Sequence, residues 1–128
     1  MSTGIEALPR IEMPRLEQDE DAVRKQLHEY LEGERRSFEL DYRLPDGFPG
    51  AVLEEVEKIG YGETVTYGEI AEELDTAAVA VGQACGRNPI PVIVPCHRVV
   101  SSNGLGGYKA ELSIKRKRLE LESRNAAS

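Results

Sequence analysis

Apolar positions along this chain recur at helical spacing in several blocks and at alternate positions in only one. Val23, Leu27, Tyr30 and Leu31 fall at i, i+4, i+7 and i+8, the stripe of a helix with one face to bury. A helix is therefore expected from a cap at Asp19 to about Glu32, with Gly33 placed to end it. Residues 37–42, Ser-Phe-Glu-Leu-Asp-Tyr, alternate as a short half-buried strand does. Two Pro and two Gly make residues 44–50 a loop. Pro49 then suits the first turn of a second helix, whose stripe of Val52, Leu53, Val56 and Ile59 is closed by Gly60. Thr66 and Glu69 have the spacing of a capping box, in which each side chain satisfies the other's backbone donor, so a third helix is expected from Thr66, with Ile70, Ala71 and Leu74 inside. Asp75 or Thr76 can cap a fourth helix, from Ala77 to about Gly86, stopped by Asn88 and Pro89. Two short helices joined by so tight a turn read as helix-turn-helix. Ahead of all this, residues 1–18 carry the breakers Gly4, Pro9 and Pro14 and no periodicity, and are expected to be a disordered or loosely attached lead-in.

The fourth helix is made almost wholly of small residues, with Gln83 and Arg87 as its polar reach. A helix that reads base edges in the major groove carries several long hydrogen-bonding side chains, and this one offers too few. Small side chains do allow a close backbone approach, either to another helix in a packed core or to a sugar-phosphate wall. Next comes the apolar stretch Pro91-Val-Ile-Val-Pro-Cys96-His97-Arg98-Val-Val100, which sets one thiol beside one imidazole. The two prolines remove backbone donors and favour an extended, loop-like approach over a helix interior. Two readings stand at this point: a reactive thiol with its base alongside, or a packed strand in which Cys and His merely adjoin.

Composition narrows the setting. With 128 residues, 40% apolar and 30% charged, one compact domain is the default. Cys85 and Cys96 are the two cysteines, and neither a secretory leader nor a run of about 20 apolar residues is visible, so a reducing cytoplasm and no membrane association are expected. The net charge is −7: residues 1–50 hold 7 Lys+Arg against 12 Asp+Glu, and residues 51–128 hold 9 against 11. Most of the excess acid is at the front, −5 against −2, and an acidic chain can still meet phosphates through a neutral or basic face, weakly and with strong salt dependence. The basic run Lys115-Arg116-Lys117-Arg118 spreads around its helix and reads mostly as a solvated surface.

Four stretches together resemble the O6-alkylguanine-DNA alkyltransferase family: Tyr61-Gly-Glu-Thr-Val-Thr-Tyr67-Gly-Glu-Ile-Ala71, Val81-Gly-Gln-Ala-Cys-Gly-Arg-Asn88-Pro89, Ile90 to Val100 with its Pro-Cys-His-Arg-Val core, and Gly106-Gly-Tyr108 followed by a closing helix. The resemblance spans roughly residues 46–122. It implies a mainly α, winged-helix-like domain over 46–124, built on helix-turn-helix with a short strand component beside the thiol. Residues 19–45 resemble a truncated helix-strand remnant of that family's N-terminal domain. The implied function is repair of O6-alkylguanine in double-stranded DNA, bound through the minor groove by a monomer, with the alkyl group moved irreversibly onto Cys96. His97 would draw off the thiol proton through a water, Glu122 would orient His97, and Asn88 would be the hinge between the helix-turn-helix and the thiol segment. Tyr67, the carbonyls of Cys96 and Val99, and the loop of Tyr108 and Lys109 would hold the guanine, and Thr66, Val79, Gln83, Arg87 and Arg98 would meet the DNA. Blander roles stay open for Tyr67 as a core aromatic and for Glu122, with Glu120 near it, as a solvated helix residue.

The chain departs from the family pattern in three places. Val79 stands where an arginine usually enters the base stack; an apolar wedge can unstack bases but cannot hydrogen-bond the orphaned cytosine. Lys109-Ala-Glu111 replaces Ser-Gly-Gly after Tyr108, putting a cation either near the guanine O6 or in solvent. The front of the chain has no Cys and only His28, so the structural zinc of some relatives has no ligands, and no cofactor is expected. The family also includes alkyltransferase-like proteins that bind the lesion and pass it to another pathway. Those lack the cysteine that Cys96 supplies here, which favours transfer.

Overall fold

The computed structural model describes residues 11–102 and 109–126, with the side chains of 109–113 excepted. Its first helix, α1 (Glu20–Leu31), starts where Asp19 accepts a hydrogen bond from the Ala22 amide and buries Val23, Leu27 and Tyr30. Gly33, at φ +79°, ends it in the left-handed region that glycine enters at no steric cost. Helix α2 (Gly47–Val56) begins two residues before Pro49 and buries Val52, Leu53 and Val56. A two-residue strand, β1 (Val65–Thr66), leads into α3 (Tyr67–Glu73). Both halves of the capping box form: the Glu69 amide donates to Thr66 Oγ1 at 3.0 Å, and the Thr66 amide to Glu69 Oε1 at 2.8 Å. Helix α4 (Ala78–Gly86) follows across a short turn and packs against α3 and α2. Strand β2 (Val99–Val100) lies parallel to β1, pairing Val65 with Val99 and Thr66 with Val100. The chain closes with α5 (Lys109–Ala126). The result is mainly helical, with a small parallel pair beside the thiol segment. No described helix is long and apolar enough to cross a membrane.

Three expectations are corrected. Residues 37–42 form no strand of a sheet. Tyr42 makes an isolated antiparallel bridge to Leu16, while the Glu39 and Asp41 amides donate to the side chains of Gln26 and Gln18. Glutamine amides thus satisfy backbone groups that a neighbouring strand would otherwise take, a solution that alternation of apolar and polar letters does not disclose. Residues 11–18 are no loose lead-in: they form a 3-10 turn at Met13–Arg15, bury Leu16, and bond through the Glu12 amide to the Pro89 carbonyl at 2.9 Å. Neither Asp75 nor Thr76 caps α4. Asp75 sits at φ +54° inside the turn, the Thr76 amide donates back to Ala71, and Ala77 holds the cap position without a side-chain bond.

One apolar cluster runs through the described residues, from Leu16, Val23, Leu27 and Leu40 at the front to Val52, Ile70, Val81, Ile90 and Val99. The N-terminal helix is therefore packed into the same core as the helix-turn-helix. That shared core brings Tyr30 to the thiol segment.

Candidate functional site

The thiol segment is held by one amide. Asn88 Nδ2 donates to the Val94 carbonyl at 2.8 Å and to Cys96 Sγ at 3.2 Å, and Asn88 Oδ1 accepts from the Ile90 amide at 2.9 Å. Between these anchors the chain folds back, with the Val94 amide on the Ile90 carbonyl at 3.0 Å. Buried Val92 is forced to φ +72°. A β-branched residue in the left-handed region costs about 1–3 kcal/mol and persists only where its surroundings over-determine it. Asn88 supplies that constraint, and the result is a rigid delivery of Cys96 at the start of a 3-10 turn, Cys96–Arg98.

Cys96 is partly buried and so is Cys85 on α4, both as free thiols. The hydrogen bond with Cys85 and burial push the Cys96 thiol well above the usual range, against the Asn88 amide and the Lys115 ammonium. The same hydrogen bond draws Cys85 down, so the two lose their first proton as a pair. A thiol held up in this way stays protonated near neutral pH, and its use as a nucleophile requires a base.

His97 has the properties of that base. Its Nε2 lies 2.5 Å from Glu122 Oε2 and 3.3 Å from the Tyr30 hydroxyl. A carboxylate only accepts, so Nε2 carries the hydrogen and donates, and Nδ1 keeps its lone pair. Nδ1 is buried and has no hydrogen-bond partner among the described residues. Burial lowers the imidazole pKa, against the Glu122 hydrogen bond that raises it, which keeps the ring neutral and able to accept a proton at pH 7.

Glu122 is fully buried. Its Oε1 accepts from Arg98 Nε at 2.8 Å and from the Gly62 amide at 3.1 Å, and its Oε2 accepts from the Tyr30 hydroxyl at 2.6 Å and Arg98 Nη2 at 3.0 Å besides His97. Burial alone would raise the carboxyl pKa, yet the hydrogen bonds from His97 and Arg98 outweigh it and hold the value at about 2. Gly62, at φ +80°, has no room for a side chain: a Cβ there would stand 2.7 Å from Ala126 Cβ. Arg98 is the main correction here. Expected on the DNA face, it is buried instead, paired with Glu122, bonded to the Ile59 carbonyl at 2.8 Å and set 5.6 Å over the Tyr61 ring.

On α3, Tyr67 is partly buried. Lys115 Nζ donates to the Tyr67 hydroxyl oxygen at 3.0 Å and lies 5.2 Å over its ring. Lys115 thus leaves the solvated-surface role expected of the basic run and brings a cation to the thiol pair and to Tyr67. Val79, Gln83 and Arg87 occur at i, i+4 and i+8 and are all exposed, Val79 at 69%. The Thr66 hydroxyl is engaged in the cap of α3. The Val99 side chain is buried in β2. Tyr108 and the Lys109 side chain lie outside the described residues.

Several members of this cluster escape a linear reading. Tyr30 counts as one more apolar position in its helix, although its hydroxyl meets a residue 92 positions away. Lys115 is masked by the charges around it. Cys85 is hidden among small residues.

A family model described as the DNA binding domain of 6-O-methylguanine DNA methyltransferase matches residues 47–124. A methylated-DNA–protein-cysteine methyltransferase of Metallosphaera sedula is 48% identical over 100 residues, covering 77% of this chain and 64% of its own length. The chain therefore spans under two thirds of that relative. Mycobacterium tuberculosis OGT in complex with DNA is 42% identical, with a TM-score of 0.76 over 82% of this chain and 68% of that one. S. pombe Atl1 in complex with damaged DNA containing O6-carboxymethylguanine is 36% identical, with a TM-score of 0.53 over 59% of this chain and 74% of that one.

Proposed function

The chain belongs to the family of the 6-O-methylguanine DNA methyltransferase DNA-binding domain, and from that premise we propose that it repairs O6-alkylguanine in double-stranded DNA by taking the alkyl group onto Cys96, once per molecule. The observation that carries the proposal is a free thiol, Cys96, followed directly in the chain by a buried imidazole whose Nε2 is held by a buried carboxylate and whose Nδ1 has no hydrogen-bond partner among the described residues. In the reaction a bond forms between Cys96 Sγ and the alkyl carbon while that carbon's bond to guanine O6 breaks. The thiol proton passes to His97 Nδ1 through one water, and Glu122 stabilises the imidazolium. Guanine leaves with the electron pair and is reprotonated, so the net transfer is one alkyl group against one proton. Lys115, by donating to the Tyr67 oxygen, turns the phenolic hydrogen outward and strengthens it as a donor to the departing base. The resulting thioether is stable, and the protein is consumed.

For the DNA, the reading is a minor-groove approach by a monomer. The target base swings out of the stack toward Cys96 while exposed Val79 serves as an apolar wedge and Gln83 and Arg87 meet the strand beside it. Of the other expected contacts, Thr66 adds its backbone at the head of α3, and Arg98 acts only through Glu122.

Intact-mass measurement after incubation with duplex DNA carrying O6-methylguanine tests the reading. The expected result is a gain of one CH2, located on the peptide containing Cys96, and no gain in Cys96→Ala, which should keep near-parental DNA affinity because phosphate and groove contacts supply most of it. Tight binding with unchanged mass would replace transfer by lesion recognition alone.

A further inference from the structure

We infer that Tyr30 is a positioning residue for the transfer step, so that helix α1, which precedes the matched residues 47–124, contributes a hydroxyl group to the proton relay. The inference rests on the alkyl-transfer reading given above and goes beyond it. Tyr30 has no exposed surface. Its hydroxyl donates to Glu122 Oε2 at 2.6 Å, the same oxygen that takes the His97 Nε2 hydrogen at 2.5 Å, and lies 3.3 Å from Nε2 itself. A phenol that served only to fill the core would not reach the one oxygen on which the imidazole depends.

With Arg98 Nη2 at 3.0 Å, that oxygen takes three donors, and the arrangement has two effects. The donors hold Glu122 in a single rotamer, which fixes the His97 ring with Nε2 on the carboxylate and leaves the Nδ1 lone pair without a partner among the described residues. They also divide the negative charge of Oε2, so the imidazolium that would form against it is stabilised less than by an undivided carboxylate. The remaining charged groups acting on His97 are Arg98 on its own turn and Arg118 and Glu122 on α5. Arg98 and Arg118 act in the same direction as the Tyr30 hydroxyl, disfavouring the charged ring. Burial and Glu122 push the phenol far up, so it remains a donor throughout the working range. The ring of Tyr30 has its own packing, 5.8 Å from the Phe38 ring and 6.2 Å, edge-on, from Tyr61. Position and hydroxyl chemistry can therefore be separated by Tyr30→Phe.

The sign of the pH effect follows. His97 must be neutral to accept the thiol proton, so the transfer rate falls on the acid side as the ring is protonated. Removing the Tyr30 hydroxyl leaves Oε2 shared by His97 and Arg98 alone, which returns part of its charge to the imidazole and raises the imidazole pKa. The acid limb then moves to higher pH.

The experiment is the single-turnover transfer rate from O6-methylguanine duplex DNA, followed across pH for the full chain, for Tyr30→Phe, and for the chain with 3-fluorotyrosine at position 30. Tyr30→Phe is expected to shift the acid limb upward by about half to one pH unit, a loss of about three- to tenfold in rate on that limb. The fluorinated phenol is isosteric and a stronger donor, and should shift the limb the other way. It keeps the test decisive if the phenylalanine variant folds poorly. A rate loss in Tyr30→Phe with the limb unmoved would reduce Tyr30 to a structural part, and a parental rate and limb in both variants would also overturn the inference. Failure of the parent chain to methylate Cys96 in the same assay would instead sink the transfer reading itself.

Discussion

The two working regions of this molecule are built on opposite plans. Around Glu122, both carboxylate oxygens are occupied by donors from α1, from the Cys96–Arg98 turn and from the Gly62 backbone, and the cluster is buried. On α4, only Val81 and Ala84 are buried, and Val79, Gln83 and Arg87 stand in the open. The first region has its geometry set before any substrate arrives, as proton transfer demands. The second carries few long hydrogen-bonding side chains to offer a base edge. Damage to one should therefore leave the other working, and three substitutions test that separation in decreasing order of effect.

Glu122→Gln should do most. It leaves Arg98 buried beside a neutral amide, and breaking a buried pair by removing one charge costs about 3–5 kcal/mol. It also takes from His97 the charge that stabilises the imidazolium, for a loss of about a hundredfold or more in transfer rate. The pH dependence gives a sharper signature. A carboxyl at about 2 in the folded protein, against about 4.3 unfolded, contributes stability on the order of 3 kcal/mol that is present above about pH 4.3 and lost as pH falls toward 2. Urea unfolding at pH 7 and pH 3 should show about half of that loss in the parent and none of it in the variant. Equal slopes in both would mean that Glu122 does not carry the low-pH sensitivity.

Asn88→Ala comes next. The substitution unpairs the Ile90 amide, removes one of the two donors on the Val94 carbonyl, which keeps the Cys96 amide at 2.9 Å, and withdraws the donor on Cys96 Sγ, at about 1–3 kcal/mol. It also frees Val92 from its left-handed conformation, so the thiol loses its fixed approach and the transfer rate falls about tenfold. Asn88→Asp, which restores the acceptor for Ile90 and not the donors, should recover part of the stability and none of the rate. Recovery of both would show that the donor to the thiol is unimportant.

What could be read in the letters divides along the same line. The capping box at Thr66 and Glu69 and the stripe of α1 are local, with partners three to eight positions apart, and the described structure contains both. Arg98 was misassigned because, within its own segment, it is simply a cation beside a reactive pair; the carboxylate that draws it inward is 24 residues away. Tyr30 and Lys115 fail for the same reason, since a phenol on an apolar stripe and a lysine in a basic run are each explained locally before their distant partners are known. Residues 37–42 show the reverse, a local pattern that was right about exposure and wrong about pairing.

Val79→Arg should have the smallest effect and the most selective one. The side chain is 69% exposed on the first turn of α4, so replacement should change stability by no more than about 0.5 kcal/mol. It alters nothing around Glu122, and transfer from the free base O6-methylguanine should stay at the parental rate. On duplex DNA the guanidinium can enter the stack and hydrogen-bond the cytosine left behind, which valine cannot, and the eversion step should gain about fivefold, near 1 kcal/mol. The measured quantity is the ratio of single-turnover rates on duplex and free base, because protein quality cancels from it. A ratio that rises places recognition on α4, apart from the relay; one that does not move puts the wedge on another element.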